Sequence, residues 1–332
     1  MAEPLVVRVM REFKEAILLR ESAQMAQMAE RYLRIEERTE AAIMALAYEF
    51  DERRRNGETI TEAALWRMQR YKELQAQLEA EVNGYMRDYA DPAISTWQRE
   101  IGGLGIDQAN AAIIASYDGG FSPFFNRLPV SAIDNMIGLA GDGSPLRKLL
   151  AEGYPDALDG MVKALIDSTA LGINPRETAR YMRDGLGAGL DRALTIARTE
   201  QLRVYREASR QQYEASGIVH RFKRICARNE NTCMACLLSD GEIFEVGQEL
   251  TDHPNGRCST IPIVDGRKEP TWQSGKEWFA EQDEETQRAQ MGGEYYDAWK
   301  DGAFNLEQLR STAHSDTWGD SPQVTSLSSL LN

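Results

Sequence analysis

Cys233-Met234-Ala235-Cys236 and, after sixteen intervening residues, His253-Pro254-Asn255-Gly256-Arg257-Cys258 hold three of the chain's four cysteines and one of its three histidines. A Cys-x-x-Cys turn lets two thiolates reach one ion from the same loop, and a histidine and a cysteine on a return segment close the tetrahedron from the other side. Four protein ligands leave no position for water, so the pattern points to a structural ion and away from hydrolysis. The expected set is Cys233, Cys236, His253 and Cys258 around structural zinc, which is worth on the order of 10 kcal/mol to a module with few apolar residues of its own. The plainer alternatives are reduced core cysteines beside an unrelated turn histidine, or a redox pair. Cys226 is either a core residue or a substitute for one of the four. A thiol nucleophile, Cys258 or Cys233 with His253 and Asp252 or Asp240, has the right residue types but no recognisable nucleophile environment.

Around the motif, 218–226, 242–246 and 258–264 are short β-prone segments separated by turns, so 218–267 reads as a strand-and-loop module. Before it, a helix over about 190–216 carries Leu194, Ala197, Tyr205, Ala208 and Ala215 on one arc and Arg203, Arg206 and Arg210 on another. Arg198 to Glu230 has a local net charge of +4, so Arg203, Arg206, Arg210, Arg221, Lys223 and Arg224 are candidates for transient phosphate contact, or simply a solvated basic face. Asn174-Pro175-Arg176-Glu177 marks a helix start by its cap, first-turn proline and third-position carboxylate. Gly185, Gly187 and Gly189 follow a helix and no strand, which makes them a helix stop and not a phosphate cradle.

From residue 4 to about 54 there is no glycine and no further proline, and Val6, Met10, Phe13, Ile17, Met28, Tyr32, Ile35, Ala42, Leu46 and Phe50 recur at helical steps. Asn56-Gly57 breaks that helix, and Thr59-Ile60-Thr61-Glu62 has the form of a capping box opening a second. Met68, Tyr71, Leu74, Leu78, Val82, Tyr85 and Tyr89 extend its stripe to Asp91-Pro92, where it is expected to kink or end. The first ninety residues therefore read as an antiparallel helical hairpin, a scaffold or an arm projecting toward a partner. Glycines at 102, 103, 119, 120, 141 and 143 suggest short helices and turns up to about 155. After Pro270 the chain is acidic and aromatic, with a net charge of -7 from Lys268 onward, and reads as short helices with a flexible Ser-rich end. The expected fold is α+β and predominantly α-helical, divided into a hairpin arm at 1–118, a second domain at 119–267 and a tail at 268–332.

The 332 residues suffice for two or more ordinary domains, and 38 basic against 52 acidic side chains give a net charge of -14. That balance disfavours general affinity for nucleic acid or anionic membrane. Charges interrupt the first 22 residues too often for a signal peptide, and no uncharged run approaches the roughly 20 residues that span a bilayer. Four clustered cysteines suit a reducing compartment, so no export and no membrane association are expected.

Four blocks, Ile196-Ala197-Arg198-Thr199-Glu200, Asn231-Thr232-Cys233-Met234-Ala235-Cys236, Asp240-Gly241-Glu242-Ile243-Phe244 and His253-Pro254-Asn255-Gly256-Arg257-Cys258, resemble in order and spacing the phage minor head proteins, the Mu F-like head morphogenesis family. The resemblance covers about 120–265, and a long helical hairpin commonly precedes such a domain. It implies a structural role in the head of a tailed phage or prophage, in several copies around a portal ring. The contacts implied are portal protein, major capsid protein or both, and transiently the packaged DNA, with the protein in the virion and, during assembly, in the host cytoplasm. It also implies action in assembly, packaging or DNA delivery, and no enzyme activity; the alternative is a head-borne nuclease-like or ADP-ribosyltransferase-like enzyme. The family's return motif usually reads His-Pro-Asn-Cys-Arg-Cys, and here Gly256 replaces the first of those cysteines, leaving Cys258 to close the site. Within the Arg-Thr-Glu block, Arg198 is expected to bond carbonyls of the zinc module and Thr199 its own helix, while a catalytic Glu200 is unsupported.

Overall fold

The computed structural model describes residues 3–59, 61–117, 128, 131–136, 145–151, 153–229, 232–315 and 318–331, and it is α+β and predominantly helical, as expected. In chain order the elements are α1 (Leu5–Arg55), α2 (Glu62–Leu65), α3 (Gln69–Tyr85), a π turn (Met86–Ala90), α4 (Asp91–Ala115), α5 (Ser131–Met136), α6 (Pro145–Leu150), α7 (Gly153–Ala170), α8 (Pro175–Leu186) and α9 (Ala188–Ser216). There follow β1 (Val219–Ile225), α10 (Met234–Leu238), β2 (Ile243–Glu245), β3 (Ser259–Val264), α11 (Gly275–Ala280), α12 (Glu284–Met291), α13 (Gly293–Lys300), a 3-10 turn (Leu306–Leu309), β4 (Arg310–Ala313), β5 (Ser321–Val324) and α14 (Leu327–Leu330).

Helix α1 runs unbroken because nothing in it removes a donor or frees the backbone, and Arg53, Arg54 and Arg55 face the negative end of its dipole. Gly57, at φ 80°, then turns the chain. The cap that follows is Thr61 and not Thr59: its hydroxyl accepts from the Ala64 N–H at 3.2 Å and opens the four-residue α2. Asp91-Pro92 does not end the second long helix. The Asp91 N–H reaches back five residues to Met86 O, and this wider turn makes room where Pro92 lacks a donor and its ring would crowd a carbonyl. Helix α4 accordingly continues through Gly102 and Gly103, which the sequence reading placed among turns.

The described chain groups into two compact units, 1–20 with 97–143 and 199–332, and 21–96 with 144–198. Each is assembled from discontinuous stretches, whereas the sequence reading divides the chain consecutively; its 118/119 boundary and the glycines at 119, 120, 141 and 143 lie outside the described residues.

In the second unit the hairpin is antiparallel. Tyr85 Oη donates to Met28 O at 3.1 Å, Arg38 meets Glu81 at 2.7 Å, and Arg70 meets Glu49 at 3.0 Å. This part of the hairpin is not a free arm, because α7 and α8 pack on it: Tyr32 Oη donates to Leu186 O at 3.0 Å and Arg183 pairs with Glu40 at 3.0 Å. Asn174 caps α8 as expected, its side chain accepting from the Glu177 N–H at 3.1 Å.

In the first unit α4 and α9 cross at very short range. A Cβ on Gly105 would stand 2.6 Å from Tyr205 O, and the Ser209 hydroxyl donates to Gly105 O at 3.1 Å. The sheet is antiparallel in the order β2-β1-β3, with Phe222 stacked on Phe244 at 5.5 Å. Its strands lie within the expected segments 218–226, 242–246 and 258–264. The region after Pro270 is folded against the cysteines: Phe279, Met291, Tyr296, Phe304 and Leu309 share one buried cluster with Cys226, Met234, Cys236, Leu237 and Cys258. The Ser-rich end, expected to be flexible, forms the β4–β5 hairpin and α14, which Ser326 caps through the Ser329 N–H. Val324, Leu327 and Leu330 pack on that same cluster, which gives the segment the apolar contact its composition conceals.

Candidate metal centre

Cys233 is the N-cap of α10, and its Sγ accepts from the Cys236 N–H at 3.4 Å. The cap holds both sulfurs on one side of a tight turn. Opposite stands the return turn, closed by the Gly256 N–H donating to His253 O at 2.7 Å, with Asn255 in the left-handed region at φ 63°. His253 Nδ1 lies 2.8 Å from Pro254 O, which leaves Nε2 facing the sulfurs, 3.3 Å from both Cys233 Sγ and Cys236 Sγ. A ring nitrogen held this way by a carbonyl presents its other nitrogen to a metal.

Two donor groups overlap at Cys236: Cys233, Cys236 and His253, and Cys236, Asp252 and Cys258, each with its ligand atoms within 4.8 Å of one another. Together these five residues can hold a metal ion. All four ligands expected from the sequence are among them, and Asp252 is the addition. Cys226 belongs to neither group among the described residues; burial pushes its thiol pKa up, so it is a protonated core residue. Cys236, within hydrogen-bonding reach of Cys233 and buried beside it, draws the Cys233 thiol down to about 4, with His253 adding to the shift. The bond to Cys233 in turn raises His253 to about 9.

The surroundings are cationic and buried. Burial pushes the Asp252 carboxyl up, but Arg206 at 3.7 Å and Arg224 at 3.8 Å outweigh it and hold its pKa below the usual value. Arg224 also donates to Thr251 O at 2.6 Å and Arg206 to Gly256 O at 3.3 Å. Lys14 of α1 is buried within the influence of Cys258, Cys226, Asp252 and Cys236, its ammonium 3.4 Å from Ile225 O.

These contacts correct the expected basic face. Arg206, Lys223 and Arg224 point inward, Lys223 meeting Pro270 O at 3.1 Å and Glu269 at 2.5 Å. Arg203 pairs with Glu200 at 2.9 Å, and Arg210 pairs with Glu207 at 2.7 Å and Glu214 at 3.2 Å. Arg221 is the one of the six that is exposed. Helical periodicity assigns residues to faces but does not say which charged face finds buried carboxylates from elsewhere in the chain.

The Arg-Thr-Glu block is tied into the fold through all three side chains. The Arg198 guanidinium pairs with Glu21, both in the second unit. Thr199 reaches the return turn, where its hydroxyl accepts from the Asn255 N–H at 3.0 Å. Glu200 is buried, accepting from Arg203 and, at 3.0 Å, from the Trp318 indole N–H. Asp240, one acid of the nucleophilic reading, is taken up by Arg228 at 3.1 Å, the Trp272 indole at 3.0 Å and the Cys226 N–H at 2.8 Å. No helix among the described residues is long and apolar enough to cross a membrane.

No protein-family model, curated protein or solved structure matches the chain.

Proposed function

We propose that the chain is a structural protein of a tailed-phage or prophage head, of the minor head protein kind, and that its Cys/His cluster holds Zn2+ as a fastener. The observation that carries this reading is the bond from the Asn255 N–H to the Thr199 hydroxyl. It joins the Arg-Thr-Glu block to the His-Pro-Asn-Gly-Arg-Cys block, two of the four blocks on which the resemblance rests. The donors suit Zn2+, since three sulfurs and one imidazole nitrogen make a closed soft set. In this reading the ion ties α10, the return turn and β3 together beneath the aromatic region, and the helical units carry the contact with portal or capsid protein.

The acids that a head-borne enzyme would draw on here, Glu200, Asp240 and Asp252, are themselves buried and each paired with an arginine, which favours the structural reading. Co-expression with the portal protein of the same phage, followed by sedimentation and metal analysis, tests both parts. The expected result is co-sedimentation with portal rings and about one zinc per chain. A chain that enters no head and binds no head component would overturn the assembly role, and chelator-free protein without zinc would overturn the fastener.

A further inference from the structure

Asp252 has a place that four ligands alone do not explain. It precedes His253 in the chain, its side chain is fully buried, and one of its oxygens lies 3.8 Å from Cys236 Sγ. Oδ1 accepts from the His253 N–H at 3.1 Å and Oδ2 from the Cys258 N–H at 3.2 Å. A single carboxylate thus spans both return ligands from behind, and Arg206 of α9 and Arg224 of β1 balance its charge. Its position depends on Gly256. A Cβ at 256 would stand 2.7 Å from Oδ1 and closer still to Oδ2 and the carboxyl carbon. Asp252 therefore occupies the space that any side chain at 256 would need.

We infer that Asp252 is a positioning residue for the metal centre: its carboxylate stays off the ion, fixes His253 and Cys258 at their bonding distance, and requires glycine at 256. The inference rests on the zinc reading above. Outer carboxylates of this kind commonly set metal affinity by 10- to 100-fold without joining the coordination sphere. Here the carboxylate acts on the ligand backbone through two amide bonds, with the Cys236 thiol donating to Oδ1 and two guanidinium groups at ion-pair distance. An ion would compete with the two amides for the oxygens that they occupy. Coordination by the sulfurs and by Nε2, which already face one another, leaves the two amide bonds to the carboxylate in place.

The test uses the full-length protein, with Zn2+ affinity from competition against a chromophoric chelator and the ligand set from Co2+ substitution. Asp252→Asn is expected to weaken Zn2+ binding 10- to 100-fold. At saturation its thiolate-to-cobalt and d–d bands should match those of the native protein, since the ligands are the same. Gly256→Ala, which expels the carboxylate while keeping every charged group, should give the same loss, and the double variant should lose no more than either alone. Changed Co2+ bands in Asp252→Asn would make Asp252 a ligand, and unchanged Zn2+ affinity would make it irrelevant; either overturns the inference. Additive losses would separate Gly256 from Asp252 and also overturn it. If Asp252→Asn does not fold, Gly256→Ala carries the same test by its affinity and its bands. Native protein that binds neither ion refutes the zinc reading itself, a result distinct from all of these.

Discussion

Gly103 and Gly105 lie two residues apart in α4, and replacing each by alanine is expected to move stability in opposite directions. At Gly103 a Cβ meets nothing within 4 Å, so alanine removes the conformational freedom of glycine in a helix interior and stabilises by about 0.5–1 kcal/mol. At Gly105 the same helical gain opposes a clash, because the Cβ would lie 2.6 Å from Tyr205 O, 3.2 Å from Ala208 Cβ and 3.3 Å from Ser209 Oγ. The closest of these is backbone, so a side-chain rotation cannot relieve it. Restoring ordinary contact requires α4 and α9 to part by roughly 0.8 Å, a gap that forfeits a quarter to a half of each contact's attraction. The separation also stretches the 3.1 Å bond from Ser209 to Gly105 O, worth about 1 kcal/mol. Overpacking of this kind costs about 1–3 kcal/mol, so with the bond lost and the helical gain credited Gly105→Ala should destabilise by about 1–3 kcal/mol. Urea unfolding followed by circular dichroism at 222 nm, with m values compared to confirm that only the midpoint moves, measures both variants. A Gly105→Ala midpoint at or above that of the native protein would refute the close crossing on which the placement of α9 beside the metal centre rests.

In metal-free protein the Cys233–His253 pair sets a pH window. Cys233, lowered from 9.0 to about 4, contributes stability that is complete above 9 and lost as pH falls through 4. His253, raised from 6.5 to about 9, contributes stability that is complete below 6.5 and lost as pH rises through 9. Between 6.5 and 9 the slopes of this pair cancel, since folding moves a proton from sulfur to imidazole, while Cys258, whose thiol the bond to Cys236 holds below its usual value, adds a loss as pH falls from 9; urea midpoints should therefore decline gently from 9 to 6.5 and more steeply from 6.5 toward 4. A maximum near pH 5 would contradict the pairing. Phe279→Ala removes a ring that is 1 % exposed in the cluster containing Cys236 and Cys258, and should cost about 3–5 kcal/mol, read as a lower urea midpoint of tryptophan fluorescence. A cost under about 1 kcal/mol would show that the region after Pro270 does not share that core. For DNA, six phosphate contacts would give a log–log salt slope of about -5, whereas Arg221 as the one exposed candidate gives about -1. Fluorescence anisotropy between 50 and 200 mM salt separates these, and a slope near -5 would restore the basic face.

Features set by local interactions are legible in the sequence. The stripe from Val6 to Phe50 needs only the helical period, and α1 follows it. Cys233, Cys236, His253 and Cys258 were visible because Cys-x-x-Cys and a His/Cys return are short-range constraints on which side chains can converge. The Asn174 cap was equally local. The misreadings share a cause. Gly102 and Gly103 resemble punctuation until it is known that Ile133 and Val204 stand against Gly102, so that glycine there reflects close packing and not a turn. Of the kink or end expected at Asp91-Pro92, the end does not occur, because a π turn absorbs the missing donor. Thr59 and Thr61 offer the same hydroxyl two residues apart, and composition does not choose between them.

The helical elements, the Cys-x-x-Cys pair and the His/Cys return are legible in the sequence, because each follows from residues within a few positions of one another; that the two pairs converge depends on the fold. Tertiary structure decided what those donors experience. It turned Arg206 and Arg224 onto Asp252, set Lys14 beside the cysteines from the start of the chain, folded the acidic region over the module, and made Gly256 the space for a carboxylate. Burying a charge is costly unless a partner compensates, and partners separated by tens or hundreds of residues are joined only when the chain is folded.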